Sequence, residues 1–259
     1  MDRVMLVVYL LAGLLGAIIG SFLNVLIIRL YKGITIMGRS ECPHCRTTLR
    51  PQHLVPVLSW IWLRGRCATC QHPIHIQYPL VELAAAIILV VVYVRYPLLA
   101  NPSLWPLFVT ESLFLLLLLA LVVFDLRWKV LPIEPMVIAA VIAAAWNILS
   151  GTLPWMSVLI GILVGGGFLG AQVWLSRGRA MGGGDPWLGV LMGAFLGWPQ
   201  VGIALYLTYI LGGGIVLVLF LLGMVRRGSR IPFAPLLALG TLGAVLYGPV
   251  VEAWIRELF

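Results

Sequence analysis

The chain has 259 residues, of which 62% are hydrophobic and only 10% are charged, and its mean hydropathy is +1.07. A soluble globule of this length cannot bury so many apolar runs, so the composition excludes an ordinary water-soluble domain and indicates a polytopic membrane protein. The formal net charge is +8. In a membrane protein this excess indicates cytoplasmic loops rich in Lys and Arg, and we expect no nucleic-acid partner.

Apolar segments predict an all-α fold with about eight transmembrane helices, because a span needs about 20 apolar residues to cross the hydrocarbon core. The predicted spans are residues 4–28, 79–95, 105–124, 134–150, 156–175, 187–198, 199–224 and 232–249. The first segment has a long apolar run and no small-x-small cleavage site, so we expect an uncleaved span rather than a signal peptide. The segment at 187–198 is short, which predicts a tilted helix or one broken near Pro199.

The basic residues predict the orientation of these spans. With the loop 29–78 in the cytoplasm, only Arg3, Arg95 and Arg256 lie outside, which leaves fourteen of the seventeen basic residues inside. Such asymmetry is the positive-inside signal. Both chain termini are therefore predicted to face outward.

The loop after the first span holds all four cysteines as two CxxC knuckles. "CPHC" contains Cys42 and Cys45, and "CATC" contains Cys67 and Cys70 after an interval of twenty-one residues. Each pair supplies two sulfurs from one tight turn, which predicts a closed, tetrahedral, structural Zn²⁺ site. Disulfides are disfavoured because the orientation places the loop in the reducing cytosol, and a redox CxxC is the weaker alternative.

Four histidines lie in the same loop and leave a substituted metal ligand open, although solvated side chains are the simpler interpretation; they are His44, His53, His72 and His75. A fifty-residue loop has too little apolar area to fold alone, so we expect the metal to hold it together. The predicted organisation is a first transmembrane helix at 1–28, a cytoplasmic zinc domain at 29–78 and a transmembrane helix bundle at 79–259.

Two acids are predicted to lie at the same depth on the same side of the membrane. Asp125 lies at the cytoplasmic end of the span that closes with "LALVVFDLRWKVLP", and Asp185 lies at the start of the span that opens with "GGGDPWLG". Two neighbouring carboxyl groups share one proton, so that one can act as a base on water while the other donates a proton. This arrangement is typical of an aspartyl protease that works at the bilayer surface.

Glycines recur every four residues after the second acid, at Gly189, Gly193 and Gly197. On a helix they share a face with Asp185, so a neighbouring backbone can approach closely, and Gly182–Gly184 are expected to let the chain bend. We expect a bulky residue to do most harm at the position nearest the acid, Gly189. The alternative is that the stripe is ordinary packing and Asp185 an exposed N-cap.

Four stretches together resemble the bacterial type IV prepilin peptidases, a group of GxGD aspartyl proteases of the inner membrane. They are "GSFLNVLIIRL" (20–30), "CPHC…LVPVLSWIWLRGRCATC…YPLVEL" (42–83), "FDLRWKVLP" (124–132) and "AMGGGDPWLGVLMGAFLGW" (180–198). The resemblance implies cleavage of the basic leader of type IV prepilins and pseudopilins after a glycine. It also implies methylation of the new N-terminal residue with S-adenosylmethionine as the donor.

The resemblance also implies roles for individual residues. The two catalytic aspartates of the family fall on Asp125 and Asp185, and its motif glycines fall on Gly182 and Gly184. Its tetracysteine set falls on Cys42, Cys45, Cys67 and Cys70. The chain departs from the family at Trp187, where a lysine is common, and at Ile133, where an acid is common, which puts the substrate preference in question.

No glycine-rich nucleotide loop precedes a helix in the cytoplasmic loop, so the methyltransferase activity is implied by the resemblance alone. Two other functions remain as alternatives. A transporter would use its intramembrane acids as a proton relay, but these acids lie at the interface and the sequence shows no inverted repeat. A non-enzymatic membrane assembly protein would explain the glycines and the zinc loop but would give the two acids no role.

Overall fold

The computed structural model describes residues 3–179, 181–226 and 231–258. Three residues used in the sequence analysis are not among the described residues. They are Arg227 and Arg230, which the charge rule places in the cytoplasm, and Ala180, the first residue of the fourth motif. Within the described residues the secondary structure is helical, apart from isolated β-bridges in the cysteine loop. The prediction of an all-α fold is therefore confirmed.

Nine α-helices cover most of the described chain. They are α1 (Arg3–Lys32), α2 (Leu58–Trp62), α3 (Gln77–Arg95), α4 (Trp105–Trp128), α5 (Ile133–Leu149), α6 (Trp155–Ser176), α7 (Asp185–Leu196), α8 (Gln200–Leu221) and α9 (Ala234–Leu258). Short 3₁₀ turns occur at Pro51–Leu54 and Pro102–Leu104.

Every predicted span falls on one of these helices, but the helices differ in length. Five candidate spans among the described residues are long and apolar enough to cross a membrane: Arg3–Lys32, Gln77–Arg95, Pro102–Trp128, Trp155–Ser176 and Gln200–Leu221. The helices Ile133–Leu149, Asp185–Leu196 and Ala234–Gly248 are apolar but shorter. The protein is thus a multi-pass membrane protein, and a total of eight spans stays a prediction.

The chain forms two compact units, Met1–Ala120 and Leu121–Phe259, so that α4 begins in the first and ends in the second. In the first unit, α1 packs closely on α3 because small residues let the two backbones meet. A Cβ added at Gly20 would lie 2.8 Å from the Cα of Glu82. The core between the helices contains Ala85 and Leu89 with Leu116 of α4.

The cysteine loop is attached to the helices of the first unit by side chains that hydrogen-bond to its backbone. The carboxylate of Glu82 in α3 accepts the N–H of Val57 at 2.7 Å. The guanidinium of Arg29, at the end of α1, donates to the carbonyl oxygens of Gly38 and Arg39. These bonds satisfy backbone groups that the irregular loop cannot pair internally, and so they fix where it leaves the helices.

In the second unit, α6 and α7 pack with their backbones in contact. A Cβ added at Gly189 would collide with the carbonyl oxygen of Gly165, and one at Gly193 would collide with that of Gly161. The glycines of α7 thus meet a matching pair on α6, which the sequence analysis did not identify although its spacing is the same. Because both contacts are equally close, the structure gives no reason for Gly189 to be the more sensitive position.

Gly197 does not belong to this stripe as a helical residue. Helix α7 ends at Leu196, and Gly197 caps it in the left-handed region with φ +65°. The predicted break near Pro199 is confirmed, since α8 begins at Gln200. The end of α7 is also held by Asn147 of α5, whose buried amide donates to the carbonyl oxygens of Ala194 and Phe195.

Candidate functional site

The two CxxC knuckles adopt the same local structure. In the first, the N–H of Cys42 bonds to the carbonyl of Thr47, and in the second, the N–H of Cys67 bonds to the carbonyl of His72. The residue after each knuckle has a positive φ, 56° at Arg46 and 57° at Gln71. Each turn thereby aims both of its sulfurs to one side, as a shared metal ion requires.

The four cysteine sulfurs form one cluster. The Sγ atoms of Cys42, Cys45, Cys67 and Cys70 all lie within 4.8 Å of one another, and those of Cys42 and Cys70 are 3.9 Å apart. Four thiolates at about 2.3 Å from a tetrahedral Zn²⁺ would be separated by roughly 3.8 Å, so the cluster fits such an ion. The structure thus brings together all four predicted ligands, and the cluster can bind a metal ion.

The thiols have different proton affinities because their surroundings differ. Hydrogen bonds to Thr47 lower the pKa of Cys45 to about 6. The pKa of Cys70 is lowered by the backbone N–H of His72 but raised more by desolvation and by the other three cysteines, to about 11. Adjacent thiolates repel one another, and a bound divalent cation would remove this repulsion.

None of the histidines belongs to the cysteine cluster. Among the described residues, the cluster contains only cysteine side chains. His44 and His72 are exposed, and their rings stack against each other with centroids 4.2 Å apart. The interpretation of solvated histidines is therefore favoured over a substituted ligand.

Asp125 lies in the last turn of α4 with its carboxylate buried, at 7% exposure. Its Oδ2 accepts the N–H of Ala234, the first residue of α9, at 2.8 Å, and the N–H of Phe233 also donates to the carboxylate. The partial positive charge of a helix N-terminus stabilises an anion in this position. The carboxylate of Asp125 is therefore buried and held by the backbone at the start of α9.

Asp185 is the first residue of α7 and is 5% exposed. Its Oδ2 accepts the N–H of Gly182 at 2.9 Å, while its own N–H donates back to the carbonyl of Gly182. The N-cap position belongs to Gly184. The alternative of an exposed N-cap aspartate is thus wrong, because the carboxylate is buried and turns toward the preceding loop.

The three glycines before Asp185 have ordinary backbone conformations, since none of them has a positive φ. A Cβ at Gly184 would lie 2.8 Å from the Cβ of Leu131, in the segment that follows α4. A Cβ at Gly182 would meet the Asp185 carboxylate at an ordinary 3.4 Å, and one at Gly183 would meet open space. The chain does turn before Asp185 as expected, but without a left-handed residue, and Gly184 is the position where packing requires glycine.

The two aspartates lie within range of each other's charge, although sixty residues separate them in the sequence. Close packing of Leu131 on Gly184 contributes to this, because it brings the loop after α4 against the loop before α7. Repulsion between two buried carboxylates favours a state in which one is protonated and the other ionised, so that one can act as an acid and the other as a base.

Sequence reasoning missed the groups that hold the two aspartates. The amides of Phe233 and Ala234 follow a basic segment more than one hundred residues from Asp125, and no local pattern links them. Tyr209 of α8 also lies within electrostatic range of the Asp185 carboxylate. The motif "IPFAP", whose two prolines flank the start of an apolar helix, was the only available signal.

Two family models match the chain. The family model "Bacterial Peptidase A24 N-terminal domain" matches residues 14–96, and "Type IV leader peptidase family" matches residues 112–221. The first match includes the four cysteines and the second includes both aspartates. No solved structure matches the chain significantly.

Curated relatives match along nearly the whole chain, and each of the following is named prepilin leader peptidase/N-methyltransferase. The protein of Aeromonas hydrophila is 32% identical over 277 residues, which cover 95% of this chain and 93% of the relative. That of Bacillus subtilis (strain 168) is 30% identical, with 93% and 95% covered, and that of Pseudomonas putida is 30% identical, with 96% and 93% covered. The chain therefore belongs to the type IV leader peptidase family.

Proposed function

We propose that this protein is a membrane aspartyl endopeptidase that removes the leader of type IV prepilins and pseudopilins, with Asp125 and Asp185 as its catalytic pair. The observation that carries the proposal is the buried pair of carboxyl groups at the ends of α4 and α7, within range of each other's charge, in a chain of this family. Burying two acids in a membrane protein costs free energy, so such a pair usually marks a functional site.

The proposed chemistry needs one proton shared by the two acids. The ionised carboxylate takes a proton from a water molecule, whose oxygen attacks the carbonyl carbon of the scissile peptide bond. The protonated carboxyl gives its proton to the carbonyl oxygen, which forms a gem-diol. As the C–N bond breaks, this carboxylate takes a proton back from one gem-diol hydroxyl, and the other carboxyl gives the proton it took from water to the departing amine nitrogen. The amides of Phe233, Ala234 and Gly182 keep the two carboxylates in place during these transfers.

The substrate class fits the position of the pair. A prepilin has a basic leader in the cytosol followed by an apolar helix in the membrane, so its cleavage site lies at the interface. We propose that the catalytic aspartates face the cytoplasm in the inner membrane, with both termini outward, because this orientation follows the positive-inside rule. The basic loop 29–78 does not attract a basic leader, so recognition relies on shape and on the Gly–Phe junction.

Zn²⁺ is the proposed occupant of the tetracysteine cluster, where it would hold the cytoplasmic domain 29–78 in its fold and take no part in cleavage. The remaining chain, 79–259, is proposed to carry the peptidase bundle. We further propose methylation of the new N-terminal residue with S-adenosylmethionine as the methyl donor. We assign no residues of this chain to that donor and derive no step of the methyl transfer.

The test uses the purified full-length protein in detergent with a prepilin that has a basic leader and a Gly–Phe junction. Mass spectrometry should show loss of the leader and a new N-terminal phenylalanine, and addition of S-adenosylmethionine should add the mass of one methyl group. An intact prepilin would contradict the peptidase proposal. Cleavage without methylation would contradict only the second activity.

A labelling experiment tests the orientation separately. In a cysteine-free variant that still cleaves prepilin, single cysteines at Arg127 and Arg179 should resist a membrane-impermeant thiol reagent in intact cells. Cysteines at Asn101 and Thr152, in the outward loops, should be labelled. Labelling of Arg127→Cys but not Arg179→Cys would place the two acids on opposite faces and would exclude a catalytic pair.

A further inference from the structure

The hydrogen bonds to Asp125 depend on the position of the backbone amides that donate them. The donors Phe233 and Ala234 belong to the turn that opens α9, and Ala234 is fully buried. A turn between two helices would be free to shift unless side chains fix it. The ring of Phe233 is the side chain next to the donating amides.

Tyr209 of α8 contacts this ring and also contacts α6. Its ring centroid lies 6.0 Å from that of Phe233 and 5.7 Å from that of Phe168, the latter in an edge-to-face arrangement with an interplanar angle of 82°. Its hydroxyl donates to the Oε1 of Gln172 at 2.7 Å. Phe168 and Gln172 are four residues apart on α6 and so lie on one face of that helix.

These contacts connect α6 to the amides that bind Asp125. The hydrogen bond to Gln172 and the edge contact with Phe168 fix the Tyr209 ring, and that ring packs against Phe233. Aromatic pairs at these separations attract each other beyond the effect of area burial, so the contact between Tyr209 and Phe233 favours one arrangement of the turn. Tyr209 is also within electrostatic range of Asp185.

We infer that Tyr209 is a positioning residue of the peptidase, which acts through Phe233 to hold the backbone amides that bind Asp125. The inference rests on the proposed function for its effect on cleavage, but the contact itself is testable without it. The ring carries the positioning contact to Phe233, while the hydroxyl contributes by fixing the ring on Gln172.

The matched control is Tyr206 on the same helix, a tyrosine that is 67% exposed. Tyr209→Ala should lower kcat about tenfold or more with little change in KM, because small displacements of a catalytic group are costly. Tyr209→Phe should retain most of the activity, and Tyr206→Ala should match wild type. Equal kcat for Tyr209→Ala and Tyr206→Ala would overturn the inference, as would a Tyr209→Phe variant as impaired as Tyr209→Ala.

A pH profile separates positioning from a general loss of structure. Amide hydrogen bonds favour the ionised carboxylate, so loosening them should move the acid limb of the kcat profile to higher pH in Tyr209→Ala and Phe233→Ala. Lys129 and Asp185 are the charged groups that act on Asp125 among the described residues, and both are present in every variant. An unmoved acid limb would assign Tyr209 a purely structural role and would overturn the inference.

A double-mutant cycle of Tyr209→Ala and Phe233→Ala, measured by thermal unfolding, tests the contact even if no prepilin is cleaved. The two effects should be clearly less than additive, because either change removes the same interaction. Strict additivity would overturn the inference. If the effects of the two substitutions are coupled but the wild-type protein leaves prepilin intact, the proposed function is contradicted and the aromatic contact is still supported.

Discussion

The cysteine cluster and the aspartate pair are assembled over different distances along the chain. The sulfurs of Cys42 and Cys70 belong to residues 28 positions apart, and each knuckle is completed by backbone hydrogen bonds within a few residues. Asp125 depends on an amide 109 residues away and shares its surroundings with an acid sixty residues away. The cluster is therefore local, while the pair depends on how four helices pack.

Because of this difference, the two sites should be sensitive to substitutions in different parts of the chain. A knuckle forms from its own turn, so the cluster should survive changes in the helix bundle and respond to loss of its own sulfurs. The aspartate pair is brought together by the approach of α7 to α6 and by the start of α9. Changes far from the carboxylates should therefore disturb it.

The largest expected effect comes from the acids themselves. Asp125→Asn or Asp185→Asn should lower prepilin cleavage about 10³-fold or more, because one remaining carboxyl group cannot supply both the base and the acid. Cleavage assays on purified variants measure this loss, and size-exclusion profiles should match wild type. Glu134→Gln is the matched control, since Glu134 is an exposed acid at the start of α5. Wild-type cleavage by either aspartate variant would remove that residue from the mechanism.

Loss of two sulfurs should abolish metal binding without direct effect on the acids. Cys42→Ser combined with Cys45→Ser should reduce the metal content from about one Zn²⁺ per chain to none and should make the loop 29–78 sensitive to proteolysis, because two remaining thiolates cannot close the site. His44→Ala serves as the control and should retain the ion. Elemental analysis of the purified proteins decides the outcome, and a native protein without metal would contradict the zinc proposal.

Helix packing should affect the acids through the glycine contacts of α6 and α7. Gly189→Leu and Gly193→Leu should both lower the melting temperature by several degrees and reduce activity, because each side chain would collide with a backbone carbonyl of α6. Gly167→Leu is the control, since a Cβ there meets open space. Thermal unfolding and cleavage are measured together. Mild effects at both positions would show that the two helices can separate at little cost.

The smallest expected effect distinguishes the motif glycines. Gly184→Ala should reduce activity several-fold, because its methyl group would press on Leu131 and shift Asp185 from Asp125. Gly183→Ala should have no effect and Gly182→Ala little, since neither added Cβ makes a close contact. The kcat/KM of each variant relative to wild type measures this difference. Equal relative values for all three variants would contradict the packing role of Gly184.

Several features of the candidate site were predictable from the sequence because they depend on neighbouring residues. The four cysteines were identified by their spacing, and Asp125 and Asp185 by their places at the ends of apolar segments. A break near Pro199 was predicted from the short apolar segment, although Gly197 was placed in the helix that it caps. The predicted spans were long enough for the composition to fix the helical class.

Other features required the tertiary structure. The role of Gly184 depends on Leu131, and the stripe on α7 depends on glycines of α6, so neither can be read from one segment. The sequence also predicted a sensitivity gradient from Gly189 to Gly193, and the two equally close contacts do not support it.

The sequence by itself determined a helical membrane protein with two thiol knuckles and two interfacial acids, because apolar length, CxxC spacing and charge distribution act locally along the chain. Only the tertiary structure decided that both carboxylates are buried, that the amides of Ala234 and Gly182 bind them and that Tyr209 lies within electrostatic range of Asp185. The physical reason is that backbone amides carry no side-chain signature. Their role becomes visible only when packing brings the start of one helix against the end of another.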